Sequence, residues 1–180
     1  MRGSPTPSRR LADALLAALL IAAPVVTGGQ ERLADADKLG RLEAIYAEDR
    51  QAFPEVPAVA PADLAGLAAA GRLVLVDVRT PAEQAVSQIA GAITAAEFEQ
   101  RRAELAGAVV VTYCTIGYRS GLYAERLRAE GWDARNLAGS LLAWTHAGGE
   151  LVDPEGQPTK RLHVYGERWD LAAAGYETVW

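Results

Sequence analysis

The chain of 180 residues has few of the side chains from which disulfides and metal sites are built. Its single cysteine, Cys114, rules out an intramolecular disulfide and a cysteine-rich zinc site. The two histidines, His146 and His163, lie too far apart in the sequence to form a local metal motif. We therefore expect no metal site of these types, and the sequence implies no organic cofactor.

Runs of basic residues are also missing. The net charge is −5, and lysine and arginine occur singly or as isolated pairs, so nothing indicates a nucleic-acid partner. Half of the residues are hydrophobic and 23% are charged, which is typical of a globular protein rather than a disordered one. The length allows one ordinary domain with extensions.

The first residues have the order of a secretory signal peptide. Arg2, Arg9 and Arg10 precede an apolar stretch over residues 14–26, which is too short to span a bilayer comfortably. We predict that residues 1–29 are a signal peptide or N-terminal anchor. The protein would then be periplasmic or secreted, with no stable membrane span after signal removal. The alternative is an additional helix on a cytoplasmic protein.

Residues 30–53 show apolar residues at helical spacing among many charges. Pro54 and Pro57 end this pattern. We interpret residues 30–56 as a helical spacer, or as a helix packed on the domain that follows.

From residue 57 the pattern predicts strands that alternate with helices. Residues 73–76 are a continuous apolar run, as in a strand that is covered on both faces, and residues 108–113 are interpreted as a second buried strand. Helices are predicted over residues 98–105 and 121–130. This alternation indicates an α/β fold, with a mostly parallel central sheet and helices on both faces. Ligands of such sheets bind beyond the carboxyl ends of the strands.

Cys114 lies at such a place, between the strand at residues 108–113 and a helix. A tight loop before a helix can direct several backbone N–H groups inward, and the helix N-terminus adds partial positive charge. Gly117 lets the loop curl, and Arg119 adds a full charge. These features favour the thiolate, so Cys114 is a candidate nucleophile. The alternative for a lone cysteine is a small buried apolar side chain.

The residues around Cys114 carry a family resemblance. The segment Tyr-Cys-Thr-Ile-Gly-Tyr-Arg-Ser at 113–120 resembles the active-site loop of single-domain rhodanese-like sulfurtransferases. Residues 75–83, with their Asp-Val-Arg and later Glu, resemble a second family segment, and residues 89–93 resemble its Ile-Pro-Gly-Ala-Ile stretch. Residues 131–144 are similar to its final Gly-aromatic and tryptophan-containing segment. The resemblance covers residues 57–149, and it implies the family's three-layer fold.

The resemblance also implies a two-step reaction. The thiolate of Cys114 takes sulfane sulfur from a donor such as thiosulfate, and an acceptor such as cyanide or a thiol removes it from the resulting persulfide. Asp77 and Arg79 would support the fold by ion pairing, and Arg119 would steer the donor anion. The loop residues that the resemblance assigns to substrate binding are Thr115, Ile116, Gly117, Tyr118, Arg119 and Ser120. The partners are thus a small-molecule donor and acceptor, and a protein acceptor stays open.

Two other functions remain open. Some phosphatases and arsenate reductases share the fold, but their loops place arginine six positions after the cysteine rather than the five found here. The domain could instead be a non-enzymatic binding or redox-sensing module. Residues 150–180 form an extension rich in aromatic residues, which either packs over the domain or contributes a lid built from Trp169 and Trp180.

Overall fold

Five parallel strands form the central sheet of the computed structural model, which describes residues 33–180. Their spatial order is β1-β6-β5-β2-β4. Every neighbouring pair in this sheet is parallel. The strands of the sheet are β1 (Ala58–Val59), β2 (Leu73–Asp77), β4 (Ile93–Thr94), β5 (Val109–Tyr113) and β6 (Asp133–Leu137).

The neighbouring strands β2 and β5, in the interior of the sheet, are buried on both faces, and their alternate residues belong to different hydrophobic clusters. In β2, Leu75 packs in one cluster and Val76 in the other. In β5, Val111 and Val110 divide in the same way. Because both faces are covered, neighbouring positions in each strand are apolar, with Thr112 the one polar residue in the interior of β5. The predicted α/β class, with a mostly parallel sheet and surrounding helices, is confirmed.

Helices connect the parallel strands and cover the sheet. They are α1 (Asp35–Asp49), α2 (Leu64–Ala69), α3 (Pro81–Gln84), α4 (Ala95–Gln100), α5 (Tyr118–Ala129) and α6 (Ser140–His146). The helix predicted over residues 98–105 is wrong in its bounds. Thr94 and Glu97 form a capping box that starts α4 at Ala95, and turns follow Gln100. The helix predicted over residues 121–130 begins earlier, directly after Gly117.

Helix α1 packs on the domain. It is shorter than the predicted helix over residues 30–53, because a 3₁₀ turn at Arg50–Ala52 follows it. Leu42 and Tyr46 are its buried residues. Just beyond the 3₁₀ turn, the ring of Phe53 packs against Gly121 of α5. A Cβ at Gly121 would stand only 2.2 Å from an atom of this ring. The segment before β1 therefore packs directly against α5.

The C-terminal segment adds short strands at the periphery. β3 (Gln88–Ile89), β7 (Leu151–Val152) and β8 (Pro158–Thr159) form an antiparallel sheet, whereas β9 (Arg161–His163) pairs in parallel with β10 (Glu177–Val179). The buried residues of this segment join one of the two core clusters; they are Leu151, Leu162, Val164, Leu171 and Ala172. The extension thus packs over apolar surface of the domain.

The predicted signal peptide or anchor, residues 1–29, lies outside the residues that the structure describes. Residues 30–32 of the predicted spacer do so as well. Within residues 33–180, no helix has both the length and the apolar character needed to cross a membrane.

Candidate active site

Cys114 follows the carboxyl end of β5 and precedes the helix α5. The thiol is free and only 1% exposed. Its own backbone N–H donates to Ser140 Oγ at 3.1 Å, which ties the residue to the start of α6. The N–H of Gly117 donates to Cys114 Sγ, also at 3.1 Å. The sulfur is therefore held inside the curl of the loop that leads into α5.

Gly117 is required for this curl. Its φ of 119° lies in a region that side chains other than glycine rarely adopt. A Cβ at this position would also stand 2.6 Å from the ring of Tyr46 in α1. The hydroxyl of Tyr46 accepts a hydrogen bond from Asn136 Nδ2 at 3.3 Å, and the same amide donates to the Gly117 carbonyl at 2.9 Å. Helix α1 and strand β6 thus fix the loop from outside.

Arg119 in the first turn of α5 forms a two-point ion pair with Glu83. Its Nη1 and Nη2 donate to Glu83 Oε2 and Oε1 at 2.9 and 2.8 Å. The carboxylate side chain is 2% exposed, whereas that of the arginine is 32% exposed. The guanidinium is consequently oriented by a buried anion while it remains accessible.

Glu83 receives further donors from three directions. Thr80 donates through its backbone N–H and its hydroxyl in the capping box of α3, at 3.0 and 2.9 Å. The hydroxyls of Thr115 and Tyr165 donate at 3.1 and 3.3 Å. Burial alone would raise the pKa of Glu83, but the hydrogen bonds from Arg119 and Thr80 outweigh it and lower the pKa to about 2. The carboxylate is therefore an ionised anchor for the loop.

Tyr165 of the extension lies against the same arginine. The guanidinium carbon of Arg119 is 4.9 Å from the centre of the Tyr165 ring, a cation–π distance. Burial raises the pKa of Tyr165 to about 12, opposed by the charge of Arg119 and assisted by that of Glu83. Burial would lower the pKa of Arg119, but its hydrogen bonds to Glu83 and the electrostatic effect of the nearby Cys114 raise it. Arginine and tyrosine therefore keep their protons.

A cavity of about 380 Å³ opens in front of Cys114. Its volume falls within the range of about 300–1,000 Å³ that is usual for small-molecule sites. The loop, α1 and the C-terminal extension each contribute to its wall. The lining residues are Asp49, Cys114, Thr115, Ile116, Tyr118, Arg119, Tyr165, Arg168 and Trp169.

The structure separates the predicted loop residues into two groups. Thr115, Ile116, Tyr118 and Arg119 line the cavity with Cys114. Gly117 and Ser120 are not among the lining residues; Gly117 contributes its N–H to Sγ instead. The hydroxyl of Ser120 is buried and donates to Asn136 Oδ1 at 2.7 Å, so this side chain braces the loop.

Asp77 and Arg79, predicted to support the site, lie beneath it. Arg79 Nη2 is 2.7 Å from Asp77 Oδ2, and both side chains are 0% exposed. The hydroxyl of Tyr113 donates to the same Asp77 oxygen at 2.8 Å and accepts from the N–H of Ile89 at 3.1 Å. Neither charged residue lines the cavity. The pair instead connects the carboxyl ends of β2 and β5 to β3.

Four cavity residues were not predicted as site residues: Asp49, Tyr165, Arg168 and Trp169. The suggestion of an aromatic lid pointed toward Trp169, which does line the cavity. Trp180, the other half of that suggestion, is 66% exposed and is not part of the wall. The cluster of aromatics after residue 164 was the one sequence signal for this wall, and nothing in the sequence marked Asp49.

Residues 60–147 match the family of the rhodanese-like domain. The chain therefore contains a rhodanese-like domain, and the predicted family resemblance is confirmed. Both α1 and the extension that carries Tyr165, Arg168 and Trp169 lie outside the matched residues. No curated protein matches the chain significantly.

Two solved structures are among those similar to this chain. A thiosulfate sulfurtransferase from Pseudomonas aeruginosa is 27% identical over 70% of this chain, with a TM-score of 0.50, and the match covers 24% of that protein. The chain thus spans about a quarter of that protein's length. A Rhodopseudomonas palustris protein of unknown function, described as a possible tyrosine phosphatase, is 24% identical over 60% of this chain and 91% of its own, with a TM-score of 0.47. The match to the rhodanese-like domain, together with the first of these structures, supports a sulfurtransferase-like role at the level of the family.

Proposed function

We propose that the protein is a sulfurtransferase that carries sulfane sulfur as a persulfide on Cys114. The observation that carries this proposal is the loop geometry: a free thiol in the loop before α5, with the Gly117 N–H donating to Sγ and Arg119 lining the same cavity. Thiosulfate is the proposed donor, and cyanide or a thiol is the proposed acceptor.

In the first step, the Cys114 thiolate attacks the outer sulfur of thiosulfate. The S–S bond of the donor breaks, sulfite leaves with the electron pair, and the outer sulfur remains on the enzyme as a persulfide. The negative charge is conserved, since thiolate plus thiosulfate gives persulfide plus sulfite. Arg119 is placed to attract the dianion, and the Gly117 N–H stabilises negative charge on Sγ.

In the second step, the acceptor attacks the outer sulfur of the persulfide. With cyanide, the bond between Sγ and the outer sulfur breaks, thiocyanate departs, and Cys114 returns as the thiolate. The same Gly117 N–H then faces the sulfur that regains the charge. The Gly117 N–H thus serves both steps, because Sγ is negatively charged before the first step begins and again after the second step ends.

Intact mass spectrometry of the full chain tests this proposal. Thiosulfate should add one sulfur atom, and cyanide should remove it with release of thiocyanate. In Cys114→Ser both changes should be absent while the fold, followed by circular dichroism, is unchanged. Thiocyanate formation by Cys114→Ser, or no gain of sulfur by the native protein from either thiosulfate or an organic persulfide, would contradict the proposal. The second result would favour a binding or redox-sensing module.

A further inference from the structure

The C-terminal extension contributes an unpaired cation to the cavity in front of Cys114. Arg168 lies in the 3₁₀ turn Glu167–Trp169 and lines the cavity. Its guanidinium carbon is 4.5 Å from the centre of the Trp169 ring. Among residues 33–180, no carboxylate lies within ion-pairing distance of Arg168, in contrast to Arg119, which is held by Glu83. The Arg168 guanidinium is therefore available to an anionic ligand.

An unpaired carboxylate lines the same cavity from another element. Asp49, the last residue of α1, is half-buried. Within the described part of the chain it has neither an ion-pair partner nor a side-chain hydrogen bond. Burial, and secondarily the charge of Glu48, raises the pKa of Asp49.

The cavity is larger than an inorganic substrate requires. Its volume of about 380 Å³ suits a small organic molecule. Ile116, Tyr118, Tyr165 and Trp169 supply apolar or aromatic wall, so the carbon chain of such a molecule would lie against them. A ligand that is complementary to all of these lining residues carries an anionic group that binds Arg168, a cationic group that binds Asp49 and a short apolar body.

From this arrangement, and resting on the proposed sulfurtransferase function, we infer that the acceptor is a small zwitterionic thiol, of the α-amino-acid type, whose carboxylate binds Arg168 and whose ammonium group binds Asp49. The two charged groups lie on elements outside the rhodanese-like domain, so this specificity belongs to the flanking segments. Arg119 and Gly117 remain with the sulfur chemistry.

The transfer step is balanced without a further reactant. The acceptor thiol first gives its proton to the anionic Cys114 persulfide, and the resulting acceptor thiolate then attacks the outer sulfur of the protonated persulfide. A new S–S bond forms in the acceptor while the bond to Sγ breaks. The electron pair goes to Sγ, which becomes the thiolate, and the outer sulfur keeps its proton. The product is the persulfide of the zwitterionic thiol.

Four thiols test this inference as a set. Cysteine carries both charged groups, 3-mercaptopropionate only the carboxylate, cysteamine only the ammonium group, and 2-mercaptoethanol neither. The full-length protein is first loaded with sulfur, and loading is verified by intact mass. The second-order rate of persulfide discharge is then measured for each thiol. The ratio of native to variant rate is taken thiol by thiol, so that each thiol's own reactivity cancels.

In Arg168→Gln, the rates with cysteine and 3-mercaptopropionate should fall about fivefold relative to 2-mercaptoethanol, whereas cysteamine should follow 2-mercaptoethanol. In Asp49→Asn, cysteine and cysteamine should show the relative loss instead. Arg161→Gln is the matched control, because it removes an exposed cation from the same extension, away from the cavity. It should change all four rates by the same factor.

Equal ratios for all four thiols in both Arg168→Gln and Asp49→Asn would overturn the inference. A loss confined to the carboxylate-bearing thiols, with no effect of Asp49→Asn, would also overturn it in favour of a simple anionic acceptor. A protein that never gains sulfur fails at the loading step. That result contradicts the proposed function rather than the assignment of the acceptor, so the two failures are distinguishable.

Discussion

Two arginine–carboxylate pairs lie near the carboxyl ends of the central strands, and they differ in their access to solvent. The side chains of Asp77 and Arg79 are both 0% exposed, whereas in the Glu83–Arg119 pair the side chain of Arg119 is 32% exposed. Both pairs have close hydrogen bonds and additional donors on the carboxylate. Similar chemistry can thus brace a fold in one place and present a charge in another, and burial decides which.

The buried Asp77–Arg79 pair should contribute more to the free energy of unfolding than the Glu83–Arg119 pair. In Asp77→Ala, Arg79 would remain buried without its counter-ion, and Tyr113 would lose the acceptor of its hydroxyl. We expect a loss of about 3–5 kcal/mol in the free energy of unfolding. Urea denaturation measures this loss. A cost below that of Arg119→Ala would reverse the proposed division between the two pairs.

The accessible pair should dominate activity. In Arg119→Ala, we expect the rate of persulfide formation from thiosulfate to fall by one to three orders of magnitude, about 1.4–4 kcal/mol of transition-state stabilisation. Arg119→Lys should recover part of the rate, because it keeps the charge but not the two-point contact with Glu83. Stopped-flow measurement of sulfite release follows this step. An unchanged rate in Arg119→Ala would remove Arg119 from the site.

Glu83 should make the free energy of unfolding depend on pH. Its pKa in the folded protein is about 2, below its ordinary value of 4.5, so the unfolded chain binds the proton first as the pH falls. The stabilisation is fully present above about pH 4.5 and should decline, by about 1–3 kcal/mol, between pH 4.5 and 2. Denaturation at several pH values, compared with Glu83→Gln, isolates this contribution. Parallel pH profiles of the two proteins would contradict it.

Tyr165 should show the smallest effect. Tyr165→Phe removes the hydroxyl that donates to Glu83 but keeps the ring beside Arg119. We expect a loss of about 0.5–1.5 kcal/mol in the free energy of unfolding, with most of the persulfide-forming activity retained. Tyr165→Ala also removes the ring and should lower activity further. Identical activities in the two variants would show that the ring does not help to position Arg119.

The sequence predicted the centre of the molecule better than its edges. The strand segments at 73–76 and 108–113 are buried on both faces. Such burial requires apolar residues at successive positions, and the sequence shows this directly. Cys114, Thr115 and Arg119 are close in the chain, so one motif places them together. These are local signals, and the match at residues 60–147 confirms the family resemblance that they indicated.

The outer wall of the cavity could not be predicted in this way. Tyr165 contacts Glu83 across a separation of 82 residues, and Asp49 and Arg168 come from opposite ends of the described chain. No periodicity links such positions, because their proximity is a product of how α1 and the extension pack on the finished domain. The bounds of α4 failed for a smaller reason: the Thr94–Glu97 capping box decided the start more strongly than the apolar pattern did.

The contact between Phe53 and Gly121 also constrains how the sequence can diverge. The ring occupies the space that any side chain at position 121 would need, so the two positions should vary together, one large and one small. Gly121 belongs to the rhodanese-like domain and Phe53 precedes it. Among related chains, glycine at this helix position should therefore accompany an aromatic residue in the preceding segment. Its replacement by alanine should accompany loss of that ring.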